Sequence, residues 1–328
     1  MKTSMIVMAW LAAATAHPTP PAMPAVDRST LHVQVILDKL GFSPGVLDGK
    51  GGQSLVAALK GFQEARGLPT TGKTDAATLR ALYPYRNWRP TVTLTLDAAT
   101  LAGPFTNPLP SEPAEQAKLP ALGYRNVMES LAERFHTTTD TLIALNSPDT
   151  KLAPGTKIVF PNALPTSRSY AAGDATWKAT LNALNVDAGA PKADHIVVDQ
   201  SEGVLKAYDA DDRLIGQFSA TMGSEHDPLP IGTWKILGLS TNPKFHYNPA
   251  LFWDAKAGDE KATLPPGPNG PVGVVWIDIS KPHYGIHGTP EPSKIGRTES
   301  HGCIRLTNWD AGRLALMVKA GVPAIFQP

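Results

Sequence analysis

Near one end of this 328-residue chain, "YGIHG" carries His287, and "SHGCIRL" carries His301, Cys303 and Arg305. Cys303 is the only cysteine, so it forms no intramolecular disulfide and is either an inert buried thiol or a reactive one. A thiol within reach of an imidazole is a nucleophile and base for acyl transfer. Only the thiolate attacks, and a reference pKa of about 8.5 leaves a small fraction charged at neutral pH. Both histidines are candidates for the base. Along an extended segment His301 would share a face with Cys303, whereas His287 would reach the thiol from a preceding strand. Proton transfer would leave thiolate and imidazolium stabilising each other, so the thiol is expected to ionise below its reference value. Gly302 permits a sharp turn that would let the amides of Gly302 and Cys303 face a developing oxyanion. Arg305 offers a planar fork for a carboxylate, on a substrate or inside the protein. Ser300 fixes the loop or touches substrate.

The same side chains raise a metal alternative. His283, His287, His301 and Cys303 could gather a zinc ion. However, Pro282 and Gly285 oppose a helix there, and the chain has no HExxH. The expectation is therefore no metal and no cofactor. His226 and His246 are expected at a cleft or on the surface, and Trp234, Trp253 and Trp276 in the core.

Elements of β period must position these groups. "HIVVD", "VLKAYD", "LIGQFSATMG", "GTWKILGLS", "FHYNP", "GVVWIDIS", "YGIHG" and "VPAIF" read as strands. One late helix, "TNWDAGRLALMVKAG", is capped by Thr307 or Asn308 and ended by Gly321. Residues 192–328 thus predict a mostly β sandwich or barrel.

Upstream the period changes. Residues 31–82 predict three helices: Val33, Ile36, Leu37 and Leu40 line the first, Leu55, Ala58, Leu59 and Phe62 the second, and a third starts at a Thr74 cap. Residues 83–121 form a Pro-rich connector in which only "TVTLTLD" alternates like a strand. Residues 122–162 predict two helices, the second capped by Thr139, and a strand at "APGTKIVFP". Residues 163–191 read as a linker. If residues 31–162 serve as a tether, a fragment from about Pro165 is expected to keep the chemistry. At the other end, a short apolar run and "ATA" predict a signal peptide over residues 1–16 with cleavage after Ala16. A Pro-rich linker over 17–30 follows, and no membrane anchor would survive cleavage. A net charge of +1 gives no electrostatic case for nucleic acid or an anionic membrane.

The motifs "HDPLPIGTWKI", "LPPGPNGPVGVVWIDI", "YGIHGTPEPSKIG" and "SHGCIRLTNWDA" resemble, in order and spacing, the L,D-transpeptidases with a YkuD-type catalytic domain. "LDKLGFSPGVLDGKGG" and "ALKGFQEARGLPTTGKTDAATLRAL" resemble the type 1 peptidoglycan-binding domain. "SLAERFHTTTDTLIALNSPDTKLAPGTKIVFPN" resembles a βααβ LysM domain that binds glycan chains. The resemblance implies an exported, periplasmic wall enzyme whose partners are peptidoglycan stem peptides and glycan strands. It places the base at His287, oriented by the Gly288 carbonyl, and leaves His301 to support the loop. Cys303 would attack a donor tetrapeptide, release D-Ala and pass the thioester to an amine, giving a 3-3 cross-link. With water the enzyme would be an L,D-carboxypeptidase, and with a lipoprotein lysine an anchoring enzyme. A wall-binding protein with a dead catalytic domain is the reading from another class.

Overall fold

The computed structural model describes residues 25–171 and 173–328. The expected signal peptide and most of the following linker lie outside the described residues. Among those described, no helix is long and apolar enough to cross a membrane.

The helical module comprises Arg28–Lys39, Gln53–Ala65 and Ala76–Leu82. Asp27 caps the first helix by accepting from the amides of Ser29 and Thr30. The third is capped by Asp75, which accepts from Thr78 N, rather than by Thr74. Ile36, Leu37, Ala58, Leu59, Phe62 and Leu82 pack into one small core. The opposite side of the first helix, at Leu31 and Val35, packs on Leu145 and Ala163 of the next module.

That next module begins earlier than expected. Thr91–Thr95, the alternating stretch of the connector, pairs antiparallel with Lys157–Pro161 in a two-stranded sheet. Helices Val127–Arg134 and Thr139–Leu145 lie between the strands in sequence, the second capped by Thr138 rather than Thr139. The order is therefore strand, helix, helix, strand, with residues 96–126 as an insertion. Leu131, Phe135, Leu142, Ile158 and Phe160 form its core.

The β-rich domain is built on a ten-stranded mixed sheet. Strand Gly232–Thr241 joins its two halves, pairing with Pro323–Gln327 on one side and Val275–Ile279 on the other. Ile196, Val198, Leu205 and Phe218 of the first half share one core with Ile277, Ile286 and Ile304 of the second. A mostly β sandwich is the result, with helix Asn308–Met317 in the same core through Trp309 and Leu314. Thr307 is its cap, accepting from Asp310 N. The presumed linker 163–191 is no linker. It carries helix Ala175–Ala183, whose Trp177 and Leu181 belong to the sandwich core.

The modules are welded rather than strung. Phe42–Ser43 of the helical module adds to the sheet edge, parallel to Leu214–Ser219. At a buried junction Asp38 meets His136 at 3.0 Å and Arg313 at 3.3 Å, one residue from each piece of the chain. Ser43 donates to Asp310 at 2.6 Å. A fragment beginning near Pro165 would uncover this edge and leave the buried Arg313 without Asp38.

Candidate active site

Register places the chemistry. Strand Gly285–His287 pairs antiparallel with Val275–Ile279 and parallel with Ile304–Arg305, setting His287 opposite both Trp276 and Arg305. Directly paired residues share a face. Ile277, Ile286 and Ile304 point the other way and are fully buried in the core. Trp276, His287 and Arg305 line a cleft of about 380 Å³, together with Cys303, Tyr284 and Phe252. Cys303 stands one residue before the strand, half-buried at the cleft.

His287 is buried, and its Nδ1 lies 2.7 Å from the Gly288 carbonyl. A carbonyl only accepts, so Nδ1 carries the proton and Nε2 keeps the lone pair. Trp276 stacks on the ring at 5.5 Å and 15°. Burial pushes His287 down to about 4, aided by Arg305 and opposed by the Gly288 hydrogen bond. Burial also pushes the Cys303 thiol up, against the Gly285 N–H and the Arg305 charge. Its sulfur also lies 3.9 Å from the His283 carbonyl. Desolvation penalises both charges, so the resting pair is neutral thiol and neutral imidazole. The expected low-pKa thiol is thereby corrected.

Gly302 adopts φ 87°, and a methyl group there would lie 2.3 Å from the Tyr284 ring, so the turn needs glycine. This turn breaks the extended path that would have put His301 beside Cys303. Instead His301 Nε2 meets Asp254 Oδ1 at 2.8 Å, and its Nδ1 faces Arg305 Nη2 at 3.4 Å. Ser300 holds the loop: its hydroxyl donates to the Cys303 carbonyl at 2.7 Å and its amide to Gly223 at 3.0 Å. Arg305 otherwise donates to the Glu299 carbonyl at 3.3 Å, and no ion pair engages it among the described residues. No hydrogen bond among the described residues engages the N–H of Gly302 or Cys303.

A hairpin of Phe245–Tyr247 and Ala262–Leu264 adds His246 and Phe252 to the cleft wall. Trp253, expected in the core, is 55% exposed and stacks on His226 at 4.4 Å, because it sits on the loop of this hairpin. Trp234 is half-buried against the core and donates to the Pro230 carbonyl. Among the described residues no three His, Cys, Asp or Glu side chains are grouped to hold a metal ion. The roles of Trp276 and Asp254 were not legible in the sequence. Trp276 had only its alternation with Ile277, and Asp254 lies 47 residues from its histidine.

Parts of the chain are similar to known families. Residues 193–325 match the family model described as "L,D-transpeptidase catalytic domain". The chain carries a YkuD-type L,D-transpeptidase catalytic domain. Residues 29–82 match "Putative peptidoglycan binding domain". Among curated relatives, "Putative L,D-transpeptidase YkuD" of Bacillus licheniformis is 49% identical over 63 residues, 19% of this chain and 38% of that protein. "Putative L,D-transpeptidase in ATP synthase subunits region ORF 5" of Fuscovulum blasticum is 51% identical over 113 residues, 34% of this chain and 58% of that protein. The chain thus spans well under two thirds of these relatives. A solved L,D-transpeptidase from Mycobacterium smegmatis aligns over 40% of this chain and 58% of its own, at 23% identity and a TM-score of 0.33.

Proposed function

We propose that this protein is an exported, periplasmic peptidoglycan-modifying enzyme, a cysteine L,D-transpeptidase whose base is His287. The observation that carries the reading is the cleft itself. It holds one thiol, the His287 imidazole with its proton fixed on Nδ1 by the Gly288 carbonyl, and one arginine without an ion-pair partner among the described residues. In the proposed reaction, His287 Nε2 takes the thiol proton as Cys303 Sγ attacks the carbonyl of the third stem residue. The Gly302 and Cys303 amides receive the oxyanion. The peptide C–N bond breaks, D-Ala leaves with the proton from His287, and a thioester remains. An amine of a second stem then attacks the thioester, forming an amide and restoring the thiol. Arg305 holds a substrate carboxylate in its fork. His301, tied to Asp254, braces the loop.

The neutral pair suits this sequence. Attack and proton transfer are then coupled, and the cleft holds no standing charge that substrate must displace. The test uses a carbapenem as acyl-donor mimic. Opening of its lactam by Cys303 should raise the intact mass by one inhibitor, and Cys303→Ala should abolish the increment. An unmodified wild-type mass after long incubation would overturn the reading. Incubation with purified sacculi and mass spectrometry of the muropeptides separates the acceptors. Cross-linked dimers support the transpeptidase, tripeptide stems alone a carboxypeptidase, and protein-linked peptides an anchoring enzyme.

A further inference from the structure

A carboxylate outside the catalytic domain reaches into the backbone behind His287. Glu133 is buried on helix Val127–Arg134, and its Oε1 accepts from Asn308 Nδ2 at 2.7 Å, across 175 residues of sequence. The Asn308 amide also donates to the Pro268 carbonyl at 3.1 Å, while its Oδ1 accepts from Val274 N at 3.1 Å. That oxygen is wedged between two glycines. A methyl group would lie 2.0 Å from it on Gly288 and 1.9 Å on Gly273. Gly288 is the residue whose carbonyl fixes the His287 ring. The Pro268 carbonyl only accepts and the Val274 N–H only donates, so the amide is oriented with Nδ2 towards the module and Oδ1 towards Val274 and Gly288, and Glu133 Oε1 supplies the second acceptor that holds Nδ2 there. One turn away on the same helix, Glu129 accepts from Asn269 at 3.2 Å, so the helix docks through two Glu–Asn pairs.

We propose that Glu133 is a positioning residue for His287, acting through Asn308 and Gly288, so that base catalysis depends on the docked upstream module. The proposal rests on the reading of His287 as the base. A misplacement of the base by a fraction of an ångström to 1 Å costs roughly 10²-fold at most. For Glu133→Ala in the full-length protein, the limiting rate of Cys303 acylation by a carbapenem should fall about 10- to 100-fold, with half-saturating concentration changed less than about threefold. Glu133→Gln, whose amide oxygen still accepts from Asn308, should stay within about threefold of wild type, as should Glu129→Ala. In a His287→Gln background, Glu133→Ala should cost nothing further, because the group it positions is gone. Should Glu133→Ala not fold, Glu133→Asp carries the same comparison, since it keeps the carboxyl group but withdraws it by one methylene. Wild-type acylation with an unaffected Glu133→Ala would overturn the proposal alone. So would equal losses with and without His287, or a loss in Glu129→Ala as large as in Glu133→Ala. Absence of any wild-type adduct would instead remove the His287 reading and this proposal with it.

Discussion

Two buried clusters of titratable groups in this molecule solve opposite problems. At the three-way junction, Asp38, His136, Asp310 and Arg313 are each less than a tenth exposed, and each faces a partner. Both nitrogens of His136 meet acceptors, Asp38 at 3.0 Å and the Leu184 carbonyl at 2.8 Å. Burial would raise Asp38, yet His136 and Arg313 hold it well below the usual carboxylate range. In the catalytic cleft the balance runs the other way. Cys303 and His287 receive only weak support for their charged forms, and burial drives both towards neutrality. The lesson is that burial alone does not set reactivity. Where counter-charges face a buried group, as at Asp38, it stays charged and fixes a joint; Asp310 in the same junction, pushed up to about 6 by burial, and Cys303 and His287 of the cleft are instead driven towards neutrality.

Breaking the joint should have the largest effect on stability. Asp38→Ala leaves Arg313 buried beside an incomplete partner set, and should cost about 3–5 kcal/mol in urea unfolding of the full chain. A loss below about 1 kcal/mol would show that water replaces the carboxylate and that the comparison is drawn too sharply.

A smaller effect sharpens the role of burial at the module interface. Burial pushes Glu133 up to about 7, against hydrogen bonds from Tyr124 and Asn308. A folded-state pKa above the unfolded value means a contribution present below about 4.5 and lost as pH rises towards 7. The difference in stability between wild type and Glu133→Gln should therefore change by on the order of 2 kcal/mol across that window, wild type losing more as pH rises. Parallel curves would contradict a Glu133 raised by burial.

The smallest effect belongs on the surface. Lys256 pairs with Glu112 at 2.7 Å, but the two side chains are 71% and 48% exposed. Lys256→Ala should leave the urea-unfolding midpoint within the scatter of repeat wild-type measurements, and any difference should shrink in high salt.

Much of the cleft could be read from short strands. "YGIHG" and "SHGCIRL" carry the turn glycine, the thiol and the histidine that the register later sets together, because alternation and a required glycine are local signals. The strands and the late helix of residues 192–328 were legible for the same reason. What failed was long-range. Trp177 and Leu181 looked like linker because nothing in their neighbourhood announces a core supplied from elsewhere. The strand Thr91–Thr95 stands apart from its partner Lys157–Pro161 by an insertion, so the module boundary was drawn too late. Gly302 turned His301 away from Cys303, which spacing alone could not reveal. The resting charge of the thiol depended on how many walls close around it, and sequence does not count walls.

The central claim is that a neutral Cys303 transfers its proton to His287 during attack. It is tested most directly by the rate of carbapenem adduct formation from pH 5 to 10 in wild type, His287→Gln and His301→Gln. Because His287 is pushed down to about 4, wild type should keep its rate down to pH 5 rather than fading near the ordinary imidazole value. His287→Gln should acylate about 10²–10⁴-fold more slowly at neutral pH and recover partly in alkali, where hydroxide makes the thiolate. His301→Gln should show no alkaline rescue of whatever rate it loses. Normal acylation by His287→Gln, with alkaline rescue confined to His301→Gln, would contradict the account and exchange the two histidines.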